Sequence, residues 1–311
     1  MKEFYMSENI LDEIFNPENL LKAISKYRLV DLKKISLFDT ITLFQSFFRT
    51  LSLSIMHLGN CKLYRVRKID NGDIHDIQSK VWCPSSKYVT KMGRFNDIAE
   101  SFFYSALDPV TAIKEAKIKP GELFSLCMFN LKKNDNSSYS TVNIVPRTNI
   151  PDVSKNQEIC SMILTDFAFV EATRPVAEGT EYQYISSCAI SKILLETPSK
   201  DSLCYPSMID STRLNFGMTE MAARNRIKLI EVHKCMLHDY NNDFDPIISD
   251  YEVAYAKMDT DILIYKPFHP DAREFVLSNE KFFQSNDLVK QIKENINFSI
   301  DNRLEYFSFN T

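Results

Sequence analysis

The first 58 residues carry apolar side chains at the spacing of α-helices. These positions recur three or four residues apart in two groups, Leu11, Ile14 and Phe15, then Leu20, Leu21 and Ile24. Asn16-Pro17 separates the groups, and either Asn16 or Asn19 can cap the second helix. The pattern predicts helices that pack as a bundle or lid on a main domain.

The most apolar stretch of the chain runs from Leu37 to Leu58. Polar residues interrupt it at Asp39, Gln45, Arg49 and His57. A membrane span of roughly 20 residues rarely tolerates that mixture. We therefore expect a buried or partner-facing helix here, and no membrane association.

From about residue 62 to 235 the pattern is mixed, which favours an α/β (α+β) class. Apolar runs predict strands at residues 63–69, 101–106, 124–129 and 227–232. Residues 134–140 are polar and predict a loop, and residues 287–295 predict a helix in the C-terminal part.

The length, net charge and cysteine content of the chain indicate what kind of protein it is. A chain of 311 residues can bury a core without metal or disulfide staples. The net charge of -4 provides no basic field for a long nucleic acid, although a local basic pocket for a small phosphorylated ligand stays open. Seven scattered cysteines without a C-x-x-C pair indicate a reducing compartment. With no apolar run of signal-peptide type at the start, we expect a cytoplasmic protein.

Two arginines lie in the first predicted strand. Arg65 and Arg67 point to one face of the strand, and Tyr64 and Val66 point to the other. Two cations on one half-buried face are costly unless they meet anions. A solvated edge strand is the alternative interpretation.

Two turn-like segments carry further candidates. Gly93-Arg94-Phe95-Asn96 combines a guanidinium suited to phosphate oxygens with a glycine that permits close backbone approach. In Tyr205-Pro206-Ser207 the proline restricts the backbone just before a hydroxyl. Each segment, taken alone, is more typical of an ordinary surface turn than of a functional site.

The segment from Phe102 to Ala116 is the most informative. Phe102–Ala106 predicts a buried strand, Asp108 a helix N-cap and Pro109 the first helical position. The helix is expected to end at residues 119–121, with Glu115 beside its apolar stripe and Lys114 and Lys117 in solvent. An inward carboxylate beside a tyrosine-bearing strand suits a buried site; a boundary glutamate paired with a nearby cation is the alternative.

These segments, in this order, resemble the RES-domain family, which is named for its arginine, glutamate and serine. The matching segments are Tyr64-Arg65, Gly93-Arg94-Phe95-Asn96, Tyr104-Ser105-Ala106, Thr111-Ala112-Ile113-Lys114-Glu115 and Tyr205-Pro206-Ser207. The run from Gly93 to Glu115 is the most specific part, and the similarity spans roughly residues 62–235.

The resemblance implies an α/β core of short strands and helices related to ADP-ribosyltransferases. We expect a helical N-terminal extension over residues 1–60, a catalytic domain over 61–240, and a C-terminal extension over 241–311 packed on the core. The implied activity is NAD⁺ degradation, by phosphorolysis or hydrolysis, often as the toxin of a toxin–antitoxin pair. NAD⁺ is then a substrate, inorganic phosphate an open co-substrate, and an antitoxin or other inhibitory protein the expected partner; the oligomeric state stays open.

The chemistry suggests a role for each residue. Cleavage of the nicotinamide–ribose bond passes through a ribosyl cation and releases a neutral ring, so no acid is needed for the leaving group. We expect Arg65, Glu115 and Ser207 to be catalytic, with Ser207 holding substrate rather than acting as nucleophile. The expected substrate contacts are Tyr64, Arg67, Arg94 and Tyr104.

The sequence offers few signals for another kind of site. The chain has no G-x-G-x-x-G, P-loop or G-x-S-x-G segment, and the spacing of His233, Cys235 and His238 fits no common zinc site, so we expect no metal. An ADP-ribosyltransferase acting on a protein or small acceptor stays open, as does a non-catalytic binding module.

Regulation is a further hypothesis. An unrestrained NAD⁺-consuming enzyme harms its host, so either a separate protein or residues 1–58 must hold it off. If the N-terminal segment does so, deletion of residues 1–58 should raise activity.

Overall fold

The computed structural model describes residues 16–48, 54–57, 61–70, 77–132, 140–144, 154–196, 200–210, 212–242, 244–256, 262–267 and 275–276. The predicted helix at residues 287–295 and most of the predicted loop at 134–140 lie outside this described part. Of the helices in the described part, none is both long and apolar enough to cross a membrane.

The chain forms a mixed α/β fold, as predicted, around one large sheet. The strands are β1 Ser54–His57, β2 Lys62–Lys68, β3 Phe102–Ala106, β4 Leu123–Leu131, β5 Ser140–Asn143, β6 Lys200–Pro206, β7 Leu214–Thr219, β8 Ile227–Tyr240, β9 Pro246–Tyr255, β10 Tyr265–Pro267 and β11 Phe275–Val276. The helices are α1 Pro17–Arg28, α2 Leu37–Phe48, α3 Gln78–Val81, α4 Pro109–Glu115, α5 Lys155–Thr173, α6 Ile185–Leu194 and α7 Glu220–Arg226. Short 3₁₀ turns occupy Ser86–Tyr88 and Glu181–Tyr184.

The sheet has the strand order β1-β5-β6-β7-β3-β2-β4-β8-β9-β10, and β11 also pairs with β9. Only β5 and β6 run parallel among the described pairs. In its centre, β2 and β3 pair at a single position, Tyr64 opposite Ala106. On their other sides both strands are fully paired, β2 with β4 and β3 with β7. On one side of this residue pair β2 and β3 are therefore not hydrogen-bonded to each other, and the sheet has a gap between the half that contains β3 and the half that contains β2.

The N-terminal helices belong to the core. Asn16 caps α1 by accepting a hydrogen bond from the Asn19 amide, at 3.1 Å. Tyr27 and Phe44 pack edge to face with centroids 4.6 Å apart, and Phe167 of α5 lies against both. The Tyr27 hydroxyl is 2.7 Å from Ser186 Oγ of α6. Deletion of residues 1–58 would expose this core. That the N-terminal segment holds the activity off therefore remains a prediction, and its test needs single substitutions at the surface of these helices instead of a deletion.

The structure differs from the predictions made from the local sequence pattern in two places. The helical pattern predicted up to residue 58 is wrong at its end, because Ser54–His57 is a strand that pairs antiparallel with β5. The strand predicted at 227–232 continues to Tyr240, because β4 and β9 pair with it on both sides. Both differences come from pairing with distant strands, which outweighs local preference. The predicted domain limits remain predictions.

Candidate functional site

Helix α4 carries the glutamate of the candidate site. As predicted, Asp108 caps the helix: its Oδ1 accepts from the Thr111 amide at 2.8 Å and from Arg213 Nη1 at 3.1 Å. The helix ends at Glu115, earlier than expected, because Lys117 adopts a left-handed backbone with φ of 53°. Lys117 is exposed as predicted, whereas Lys114 is half-buried. Glu115 therefore lies in the last turn of a short, firmly anchored helix.

Three donors fix one oxygen of the Glu115 carboxylate. Oε1 accepts hydrogen bonds from Ser207 Oγ at 2.5 Å, the Met208 amide at 3.1 Å and Asn215 Nδ2 at 2.7 Å. None of the described residues donates to Oε2. All three groups donate to the same oxygen, and the second oxygen keeps its acceptor capacity for a ligand.

Ser207 is buried behind the glutamate. Its Oγ donates to Glu115 and accepts from the Ile209 amide at 3.1 Å, and its own amide donates to the Arg213 carbonyl at 2.8 Å. The hydroxyl proton is thus already used to hold the carboxylate. The expectation that Ser207 contacts substrate directly remains a prediction, and its observed contacts are those of a positioning residue.

Arg65 lies where the sheet opens. Its Nη1 donates a 2.6 Å hydrogen bond to the Tyr104 carbonyl, across the gap between β2 and β3. Only 8% of its surface is exposed, its Nε has no hydrogen-bond partner, and it forms no ion pair within the described residues. Burial and the neighbouring Arg67 lower the pKa of Arg65 to about 9, so the group remains cationic at neutral pH. A buried cation without a counter-ion suits an anionic ligand.

The Gly93–Asn96 segment forms a tight turn fixed by Tyr104. The Tyr104 hydroxyl donates to Asn96 Oδ1 at 2.8 Å and accepts from the Phe95 amide at 2.9 Å. A β-carbon at Gly93 would lie 2.3 Å from Asn96 Oδ1, so the turn requires glycine at this position. Burial raises the pKa of Tyr104, which keeps its hydroxyl neutral. The hydroxyl of Tyr104 therefore stabilises the turn, and its aromatic ring is the part that can contact a ligand.

The turn places Arg94 near Arg65 and Glu115. Its guanidinium donates to the Ala172 carbonyl, contacts the Met208 sulfur and lies over the ring of Tyr184, 5.3 Å from the ring centroid. No carboxylate pairs with it within the described residues. Arg94 is thus a second arginine held by neutral groups.

These residues surround a cavity of about 270 Å³, which we name the Glu115 cavity. The expected site residues in its wall are Tyr64, Arg65, Arg94, Tyr104 and Glu115. The other lining residues are Val66, Ser105, Ala106, Ala112, Ala116, Tyr205, Met208 and Asn215. The structure therefore brings five of the seven expected residues together around one space, with Ser207 bonded to the glutamate at its edge.

Ser207 and Arg67 are the expected site residues that do not line this cavity, and of the two only Ser207 hydrogen-bonds the wall residue Glu115. The Nη2 atom of Arg67 donates to the Trp82 carbonyl at 2.9 Å, and Arg67 lines a separate cavity. The strand alternation itself is as predicted, since Leu63 and Arg65 lie against one core cluster and Tyr64 and Val66 against another. The two arginines share a face of β2 but reach different spaces.

Sequence reasoning did not single out Met208 and Asn215, and it gave no role to Tyr205, although Tyr205 lies in one of the matching segments. Asn215 is the most informative, because it is a buried amide within the apolar strand β7. An isolated amide among apolar strand residues was the available signal, since such a group must find a hydrogen-bond partner. Met208 acts through its backbone amide, for which the sequence offers no signal.

His233 and His238 contact protein groups. His233 Nδ1 is 2.5 Å from Asp250 Oδ2 and its Nε2 is 3.2 Å from Glu231 Oε1, while His238 Nε2 is 2.7 Å from Ser249 Oγ. Within the described residues, no group of three or more His, Cys, Asp or Glu side chains could hold a metal ion.

No protein-family model matches the chain. No curated protein matches it either. Among solved structures, the chain is similar to one in the crystal structure of the M. tuberculosis MbcT–MbcA toxin–antitoxin complex. The identity is 9%, the TM-score is 0.35, and the match covers 64% of this chain and 93% of that chain. A similarity of this size bears on neither the activity nor the partners of the chain.

Proposed function

We propose that this chain cleaves the nicotinamide–ribose bond of NAD⁺ in the Glu115 cavity. One observation carries the proposal: a carboxylate with one free oxygen shares the cavity with two arginines that have no carboxylate partner among the described residues. Such a wall suits a ligand that combines phosphate groups with a centre that becomes cationic.

The arginines bind the anionic part of the substrate. Arg65 keeps its charge at neutral pH and has an unsatisfied Nε, and Arg94 presents a guanidinium held by neutral groups. Each guanidinium can pair with pyrophosphate oxygens by exchanging a contact with a neutral protein group for a contact with the anion. A space of about 270 Å³ takes the nicotinamide riboside end of the dinucleotide and leaves the adenosine end outside.

Glu115 acts on the reacting sugar. When the bond between the anomeric carbon and the ring nitrogen breaks, the electron pair leaves with nicotinamide and positive charge develops on the ribose. The free Oε2 accepts a hydrogen bond from a ribose hydroxyl, and this contact strengthens as the cation forms. Ser207 and Asn215 hold the other oxygen, so the carboxylate needs no reorganisation at that moment.

The acceptor completes the reaction on the opposite face of the ribose. An oxygen of water or inorganic phosphate forms the new bond and gives its proton to solvent. The Tyr104 ring supports the sugar or nicotinamide, while its hydroxyl maintains the turn that carries Arg94. Because such an activity would deplete NAD⁺ in its host, we also propose that an inhibitory protein restrains it.

The test is product analysis with the purified full chain. NAD⁺ is incubated with and without inorganic phosphate, and nicotinamide and the sugar product are followed by chromatography. Nicotinamide release that Glu115→Gln abolishes and Glu178→Gln preserves supports the proposal; Glu178 is the matched control because its side chain is 92% exposed. Phosphate dependence identifies the acceptor.

Two other outcomes overturn it. ADP-ribose recovered on a protein or small acceptor, without bulk NAD⁺ loss, assigns the site to ADP-ribosyl transfer. No turnover in either buffer, together with no NAD⁺ binding by calorimetry, makes the cavity a binding module for another ligand.

A further inference from the structure

A second and larger cavity lies beyond Arg67 and shares no residue with the Glu115 cavity. Its volume is about 750 Å³, within the range of small-molecule sites. The lining residues are Arg67, Lys68, Gln78, Ser79, Lys80, Trp82, Cys83, Pro84, Ser85, Tyr88, Lys132, Arg224, Ile227, Lys228, Leu229 and Ala256. We call it the Arg67 cavity.

Its wall is unusually cationic for an acidic protein. Six of the lining residues are lysine or arginine and none is aspartate or glutamate, although the whole chain has a net charge of -4. Lys68 and Arg224 pair with Glu122 and Glu220, which do not line the space. Lys228 is exposed and forms no ion pair with the described residues. Like charges gathered around a concave space raise the local concentration of anions.

Donors in the wall also lack acceptors. The Nε atom of Arg67 and the Nε1 atom of Trp82 are buried, and neither has a hydrogen-bond partner among the described residues. Arg67 donates through Nη2 to the Trp82 carbonyl, and no carboxylate of the described part pairs with it. Each buried donor without an acceptor is costly, and an anionic ligand relieves that cost.

Aromatic groups accompany the cations. Trp82 is fixed from inside the protein by Phe103 and Phe129, with ring centroids 5.7 Å and 5.1 Å away. Tyr88 stands at the rim with 69% of its surface exposed. Aromatic side chains beside cations are the combination that binds a planar base and its phosphates.

We propose that the Arg67 cavity binds a nucleotide, with its phosphates on the lysines and Arg67 and its base against Trp82 or Tyr88. This site is separate from the proposed NAD⁺-cleaving site and does not depend on it. A concave space of about 750 Å³ matches a small molecule, and the net negative charge of the whole chain disfavours a long polyanion, so a free nucleotide is favoured over a nucleic acid or a protein segment.

Trp82 makes the proposal directly testable, because it is the only tryptophan of the chain. Full-length protein is titrated with ADP while tryptophan fluorescence is recorded, and adenosine, a nucleic-acid oligomer and an acidic peptide are titrated in parallel. We expect a saturable change with ADP that weakens as salt is added, and at least tenfold weaker binding of adenosine.

Variants locate the site. Lys228→Gln should weaken ADP binding roughly two- to fivefold, whereas Lys22→Gln, an equal charge change at an exposed position of α1, should leave it unchanged. Arg67→Met should weaken it about tenfold or more, with circular dichroism to confirm folding. ADP binding that Arg94→Gln leaves unchanged separates this site from the first, because Arg94 lines the Glu115 cavity and not the Arg67 cavity.

Four results overturn the proposal. These are no saturable fluorescence change with millimolar ADP, an ADP affinity that Lys228→Gln and folded Arg67→Met leave intact, adenosine binding as tightly as ADP, and tighter binding of the oligomer or the peptide. Failure of NAD⁺ cleavage alone leaves each of these measurements unaffected.

Discussion

Asn215 of β7 donates a 2.7 Å hydrogen bond to the carboxylate of Glu115 and so joins the sheet to the last turn of α4. The Asn215 side chain is buried, and it lines the same cavity as the glutamate. Together with Ser207 and the Met208 amide it orients one oxygen of the carboxylate and leaves the other available.

Asn215→Ala should lower kcat for NAD⁺ cleavage by about tenfold or more, because one charge-assisted hydrogen bond to Glu115 is lost. KM should change little, since the arginines still bind the phosphates. Steady-state kinetics separates the two constants. Asn225→Ala, which removes an exposed amide, is the control. An unchanged kcat would show that Asn215 does not orient the carboxylate.

Ser207→Ala should reduce kcat about tenfold or more but leave measurable turnover, because the serine positions Glu115 and does not form a bond to the sugar. Ser46→Ala removes an exposed hydroxyl and serves as the control. Complete loss of activity in a folded variant, or a covalent ribosyl adduct on Ser207 by mass spectrometry, would contradict this role.

Arg65 and Arg67 should behave differently despite sharing a strand. Arg65→Lys loses the bridge to the Tyr104 carbonyl and the planar fork, so KM for NAD⁺ should rise about tenfold. Arg67→Lys should alter KM far less, because Arg67 lines the other cavity. The two variants are compared in the same assay without added nucleotide. Equal effects on KM would place both arginines at the substrate.

Stability should depend on the N-terminal helices. Phe44→Ala should lower the free energy of unfolding by about 3–5 kcal/mol, because Phe44 is 1% exposed and packs against Tyr27 and Phe167. Phe38→Ala on the same helix should cost less than about 0.5 kcal/mol, since Phe38 is 75% exposed. Urea denaturation gives both values. Similar costs for the two variants would mean that α2 does not pack as described.

The pH dependence of stability should carry a signature of His233. Burial alone would lower its pKa, but the hydrogen bond to Asp250 and the nearby Glu231 outweigh burial and raise the pKa above its ordinary value. Its stabilising contribution is therefore complete below the unfolded value of about 6.5 and is lost as the pH rises through the folded value. Denaturation at a series of pH values should show this decline, and His233→Gln should flatten it. A decline of equal slope in the variant would assign it to other groups.

Local chemistry was enough to predict some elements. Asp108-Pro109 places a capping carboxylate before a residue with a helical φ, and the helix begins there. The strand over Lys62–Lys68 and its alternation of faces were also predictable, because side chains in a strand alternate by geometry.

Long-range contacts decided the rest. The early end of α4 depends on a left-handed Lys117, which no local rule demands of a lysine. The contact between Asn215 and Glu115 joins residues 100 positions apart, and the pairing of β7 with β3 places the amide beside the helix. The separation of Arg67 from Arg65 depends in the same way on where Trp82 packs.

The single pairing of Tyr64 with Ala106 also has a mechanical consequence. A continuous ladder would resist any change in the spacing of β2 and β3, because several backbone hydrogen bonds would have to break together. Here one backbone residue pair, the Arg65 side chain and the packing of Phe103 of β3 against Phe129 of β4 span the joint. Fewer backbone hydrogen bonds therefore oppose a change in the spacing of these two strands beside the Glu115 cavity. An anion bound by Arg65 would compete with the Tyr104 carbonyl for the same guanidinium, so occupancy of the cavity and the strength of this joint are coupled.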